Sequence, residues 1–229
     1  MEQKKHILEI WRTLKAKQSY MESFMKNYML KQIGIPRNKI LANKENYMSV
    51  IDFCLKTRRT PNLKKLKTAK SYFNRNYENF KSLLRKGDFK EIKKLVENAK
   101  GKGVRQKIEA LILEVFILYG KLGKRNLLKD LYVPLDSHTI RMFDEALGLK
   151  NVPKKNLSKK NVAKFQDELK QYIPKNGEII YFDYLWYIGK VFCQKISNNK
   201  NTYSRGFRLC NDCWIKNNCQ IKDKWKYSN

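Results

Sequence analysis

The stretch Lys107-Ile108-Glu109-Ala110-Leu111-Ile112-Leu113-Glu114-Val115-Phe116-Ile117-Leu118-Tyr119 decides the fold class. Ile108, Ala110, Leu111, Ile112, Leu113, Val115, Phe116, Ile117 and Leu118 place apolar groups on every side of a helix. Such a pattern predicts a buried helix over 108–119, not an amphipathic one. Gly120 and Gly123 are expected to end it by supplying a left-handed C-cap. Upstream, the basic turn Gly101-Lys102-Gly103-Val104-Arg105-Gln106 delivers Lys107 to the helix start. Downstream, Tyr132-Val133-Pro134-Leu135 leads to Asp136-Ser137-His138 and a second expected helix over 139–147, closed by Gly148.

Outward from this stretch the pattern stays helical. Residues 5–31 carry Ile7, Leu8, Ile10, Trp11 and Leu14, then Met21, Phe24, Met25, Tyr28 and Met29, which fits one long or two shorter helices. Gly34 and Pro36 break the run. A helix over 46–56 stops at Thr60-Pro61. The basic stretch Arg58, Arg59, Lys64, Lys65, Lys67 and Lys70 leads into Tyr72, Phe73, Tyr77 and Phe80, as a solvated face over core aromatics or as a phosphate-contacting surface. Asp88 is a candidate cap for a helix over 89–98, and Ser158 for one ending near Tyr172. A last buried helix is expected over 179–191. With no repeat and no alternating strand run, the class is all-α.

Composition narrows the partner. Fifty Lys+Arg against 21 Asp+Glu leave a net charge of +29. Heat-adapted surfaces add glutamate alongside lysine, so an excess this unbalanced points to a polyanion, most simply nucleic acid. The longest apolar run is shorter than the ~20 residues of a membrane span and contains Glu114. Charges at Glu2, Lys4, Lys5 and Glu9 speak against a signal peptide. A cytoplasmic, DNA-associated protein with no membrane partner is expected, its cysteines reduced or metal-bound.

Two readings of Lys107 and Asp136 stand side by side. In one, Asp136 is a helix N-cap and Lys107 one surface cation among many. In the other, a lysine nucleophile and a carboxylate face each other across a cleft. A carboxylate can cap a helix and still present an oxygen to a ligand, so the two readings of Asp136 are compatible.

Four of the five cysteines, Cys193, Cys210, Cys213 and Cys219, lie near the C-terminus in the spacing C-x16-C-x2-C-x5-C. Four thiolates from one short segment can share a metal centre. Structural zinc sites usually pair two close C-x2-4-C knuckles. Only one pair here is that close, so an iron–sulfur cluster fits better than zinc. Cys54 is left over, as core.

The pieces together resemble the helix-hairpin-helix DNA glycosylase superfamily. Lys100-Gly101-Lys102-Gly103-Val104 looks like a degraded form of its hairpin L-P-G-V-G, followed by Lys107 and an apolar helix. Val133-Pro134-Leu135-Asp136-Ser137-His138-Thr139 is similar to the segment of its essential aspartate, commonly V-D-T-H. Trp186-Tyr187-Ile188-Gly189-Lys190-Val191-Phe192-Cys193 resembles the helix that ends in the first cluster cysteine of the endonuclease III branch. The C-x2-C-x5-C spacing repeats that branch, whose first interval is usually x6 where this chain has x16. The long Lys107–Asp136 interval and Asp183-Tyr184-Leu185-Trp186 look more like the archaeal 8-oxoguanine glycosylases called AGOG, which do not usually carry the cluster.

This resemblance implies a two-lobed fold, with one lobe over about 30–135 and the other over 1–29 plus 136–229, including a cluster loop at 193–219. It implies a monomeric base-excision-repair enzyme acting on double-stranded DNA with a damaged base, 8-oxoguanine favoured, or an abasic site. Lys107 and Asp136 would be catalytic, with lysine-dependent lyase activity. Asp183 and Trp186 would recognise the base. Gly101, Lys102, Gly103, Arg105 and His138 would contact DNA, and the four cysteines would hold a [4Fe-4S] cluster, or alternatively zinc. Two further readings remain: a monofunctional mismatch or uracil glycosylase, and a non-enzymatic nucleic-acid-binding protein with a structural metal.

Overall fold

The computed structural model describes residues 2–57, 63–99, 106–120, 122, 131–153, 159–172, 180–191 and 213–219. Among them every regular element is helical, in keeping with an all-α class. None of these helices is long and apolar enough to cross a membrane. In order they are α1 (Glu2–Ala16), α2 (Gln18–Ile33), α3 (Lys44–Lys56), α4 (Leu63–Arg75), α5 (Tyr77–Lys86), α6 (Phe89–Glu97), α7 (Gln106–Glu114), α8 (Ser137–Arg141), α9 (Lys159–Lys170) and α10 (Ile180–Val191). Short 3-10 turns lie at Arg37–Lys39 and Lys216–Asn218. The expected cap Ser158 and the glycine Gly123 lie outside the described residues.

The chain divides into two compact units, Met1–Glu22 with Leu135–Asn229, and Ser23–Pro134. In the first unit, Ile7, Ile10, Trp11 and Leu14 of α1 are buried. The Trp11 ring meets Phe182 of α10 edge-on at 5.2 Å, and Phe143 packs at 5.6 Å from both Phe182 and Phe165 of α9. In the second unit, Phe116 lies 5.0 Å from Phe80 and 5.5 Å from Tyr47, whose ring also packs on Tyr77. The apolar run is therefore buried as its pattern predicts, and Cys54 is core as well. Burial pushes the Cys54 thiol well above its ordinary range, with the Glu114 charge adding to the effect, so the thiol stays protonated.

Two regular helices were expected where the backbone widens. After α7 the chain runs on as a π-helical segment, Val115–Tyr119, and after α8 as another, Met142–Ala146. The bond from the Gly120 N–H to the Val115 carbonyl is of the wider type. Gly120 does not supply the expected left-handed cap, since its φ is −72°. A Cβ there would lie 2.7 Å from the Phe116 carbonyl oxygen, so glycine is needed for space. Gly148 does take the left-handed conformation, at φ 61°. Asn43 and Asp88 cap α3 and α6 through their side chains.

α3 packs against α4. Asp52 of α3 pairs with Lys56, 2.6 Å away, and with Lys70 of α4. Partial burial raises the carboxyl's proton affinity, but hydrogen bonds and charge from the two lysines outweigh it and hold Asp52 below the usual carboxylate range. A depressed native value adds stability that is present above the unfolded value of about 3.9 and lost as pH falls through the native one. Asp52→Asn should therefore lower stability at about pH 7 by about 1 kcal/mol or less, with the gap closing toward about pH 3. Urea unfolding at the two pH values checks this, and an equal gap at both would contradict it.

Candidate active site

α8 begins with amides that have no partner within the helix, and Asp136 supplies one. Its Oδ1 accepts from the backbone N–H of His138 at 2.9 Å and of Thr139 at 3.1 Å. The Thr139 hydroxyl answers by accepting from the Asp136 N–H at 2.8 Å, which completes a capping box. Thr139 is buried, so this box is built into the core side of the helix. The other oxygen, Oδ2, accepts from the indole Nε1–H of Trp186 at 3.0 Å. A carboxylate, an acceptor through both oxygens, suits three N–H donors. Asp136 is thus a cap, and one gripped from a second helix.

That second helix is α10, and it reaches α8 because residue 189 is glycine. A Cβ at Gly189 would lie 2.7 Å from Met142 Cγ and 3.1 Å from the His138 carbonyl oxygen. The Arg141 guanidinium also donates to the Gly189 carbonyl. Gly189 stands three residues after Trp186, hence on the same face of α10. In the sequence Gly189 and Thr139 stand only as members of motifs, with no role of their own. A threonine three residues after an aspartate was the visible sign of the capping box.

Asp183, expected beside the base, is buried one turn before Trp186 on α10. Trp186, expected there too, is half-buried and gives its N–H to Asp136. His138 is half-buried at the second position of α8.

Lys107 belongs to the other unit, where it is the second residue of α7 and half-buried. Its helical neighbours tie α7 to the chain that leads toward Asp136. Gln106 Nε2 donates to the Val133 carbonyl at 2.9 Å, and the Tyr132 hydroxyl donates to the buried Glu109 carboxylate. Burial pushes the Tyr132 phenol far above its ordinary range, and the Glu109 charge pushes it further, so Tyr132 remains a donor. Lys93 Nζ lies 5.0 Å from the centre of the same ring. Gly101, Lys102, Gly103 and Arg105, the expected hairpin contacts, lie outside the described residues.

Two of the four expected metal ligands are described. Cys213 and Cys219 bracket the 3-10 turn Lys216–Asn218, and both are half-buried. The turn is anchored on the first unit by buried Ile215 and by Asn218, which accepts from Thr13 of α1 at 2.9 Å. Trp214 stacks on Tyr187 at 5.5 Å and meets Tyr20 edge-on at 6.3 Å. Among the described residues no three His, Cys, Asp or Glu side chains are grouped for a metal, and Cys193 and Cys210 lie outside them.

Compared with family models, curated proteins and solved structures, the chain matches none.

Proposed function

We propose that this protein is a DNA glycosylase of base excision repair that removes a damaged base, 8-oxoguanine first among the candidates, from double-stranded DNA. The observation that carries the reading is Asp136: one carboxylate caps α8 and is also held by an indole from α10. A cap alone requires one oxygen. A carboxylate fixed through both oxygens suits a developing cation that needs a preorganised counter-charge. The net charge of +29 supports a phosphate-rich partner.

In this reading the bond between base and sugar breaks, and the base leaves with the electron pair and takes up a proton. Asp136 offsets the positive charge left on the sugar. The Lys107 amine attacks C1′ and loses a proton; the C1′–O4′ bond then breaks, O4′ keeping the electron pair and taking up a proton as the ring opens, which leaves a protonated Schiff base. Removal of a C2′ proton then expels the 3′ phosphate by β-elimination. Backbone amides of Gly101 and Gly103, with Lys102, Arg105 and His138, would bind phosphates. Cys193, Cys210, Cys213 and Cys219 would hold a [4Fe-4S] cluster, which would staple the C-terminal segment and take no part in the chemistry.

Incubation with duplexes carrying 8-oxoguanine, uracil, thymine glycol, mismatched thymine or an alkylated base tests the activity. Release of at least one base is expected, and the parent should be trapped on abasic DNA by borohydride. Lys107→Gln should lose both trapping and strand cleavage, because an amide cannot form the Schiff base. Trapping by Lys107→Gln would assign the nucleophile to another lysine. Binding of every duplex with release of no base would make the protein a non-enzymatic binder.

The cluster has its own test. Protein purified without oxygen should be brown, with broad absorption near ~400 nm from thiolate-bound iron. Colourless protein containing stoichiometric zinc would replace the cluster by a structural zinc site.

A further inference from the structure

We propose that Trp186 is a positioning residue for Asp136 and does not read the base through its N–H; the inference rests on the glycosylase reading above. An indole has one hydrogen-bond donor and no acceptor. In Trp186 that donor points at Asp136 Oδ2, 3.0 Å away. With Oδ1 alone bound, the carboxylate torsion would be broad, as it is for aspartate in general. The cap fixes one oxygen from α8 and Trp186 fixes the other from α10, so the plane of the carboxylate is set by two helices.

The helix crossing is built for this contact. Gly189 lets α10 approach to within contact of the His138 carbonyl, and Arg141 locks the approach by donating to the Gly189 carbonyl. Trp186 stands one turn earlier on the same face. The residue that permits the close approach and the residue that exploits it are therefore three apart on α10. A reader that used its polar group would need that group available to the base, whereas this indole N–H is already engaged by Asp136.

A double-mutant cycle between Trp186→Phe and Asp136→Asn separates the possibilities. Its readouts are single-turnover base release, affinity for lesion-containing duplex, and melting temperature. Trp186→Phe keeps an aromatic ring and removes the N–H. It should slow base release by about 10- to 100-fold, the scale of a misplaced catalytic group, with DNA affinity and the ranking of damaged bases unchanged. In the Asp136→Asn background it should slow release no further.

The melting temperature reports the contact without activity. An asparagine that caps through its oxygen turns its NH2 toward the indole N–H, two donors face to face. Trp186→Phe should therefore lower the melting temperature in the parent but leave it unchanged or raise it beside Asp136→Asn. If Trp186→Phe fails to fold, benzothienylalanine at 186 keeps the indole's shape without the N–H and answers the same question. Equal losses of rate in both backgrounds, or a changed ranking of bases, would overturn the proposal in favour of base recognition. Release at the parent rate by the variant would overturn it outright. A parent that releases no base sinks the glycosylase reading, and this inference with it.

Discussion

The first turn of α8 sets the constraint on which the candidate site depends. Its amides need an acceptor, Asp136 is that acceptor, and the carboxylate is then held where α10 can reach it. Each neighbouring residue follows from this requirement. Thr139 closes the cap from inside the helix, Gly189 removes the side chain that would keep α10 away, and Trp186 supplies the donor. A side-chain cap contributes about 1 kcal/mol, and a hydrogen bond to a charged acceptor about 1.5–3 kcal/mol. Both contributions are modest beside core burial, yet they decide the orientation of one charged group.

The described surface is rich in cations, while several acids lie inside or in pairs. Glu109, Glu114 and Asp183 are buried, and Asp52 is committed to Lys56 and Lys70. Meanwhile Lys64, Lys65 and Lys67 on α4, and Lys15 and Lys17 about the end of α1, are exposed. Buried acids also have local work: Glu109 receives Tyr132 and so ties α7 to the segment that precedes Asp136.

Local features were legible in the sequence because their causes are local. The three-to-four spacing marks α1 and α2, an apolar run without a polar face marks the buried stretch after Lys107 and α10, and Asp88 and Asp136 are readable as caps. The misread features depend on distant neighbours or on backbone hydrogen bonding. Val115–Tyr119 and Met142–Ala146 carry ordinary helical residues, and nothing in their composition marks the wider winding. Gly120 looked like a left-handed cap, but its reason is a carbonyl one turn back. Trp186 meets an aspartate fifty positions away, a contact that no spacing rule contains. Glu109 and Glu114 sit in a run whose apolar neighbours bury them as well.

The central claim is that the charge of Asp136 serves chemistry in addition to capping. Asp136→Ser tests it most directly, since serine caps about as well as aspartate and carries neither a charge nor an amide NH2 to oppose the indole. The measurement is single-turnover release of base from an 8-oxoguanine duplex, set beside the melting temperature and the affinity for the same duplex. The account predicts nearly parental affinity and a melting temperature lowered about as far as by Trp186→Phe, with release slowed at least ~100-fold, as for removal of a preorganised electrostatic group. Release at the parent rate would contradict it and leave Asp136 as a helix cap alone.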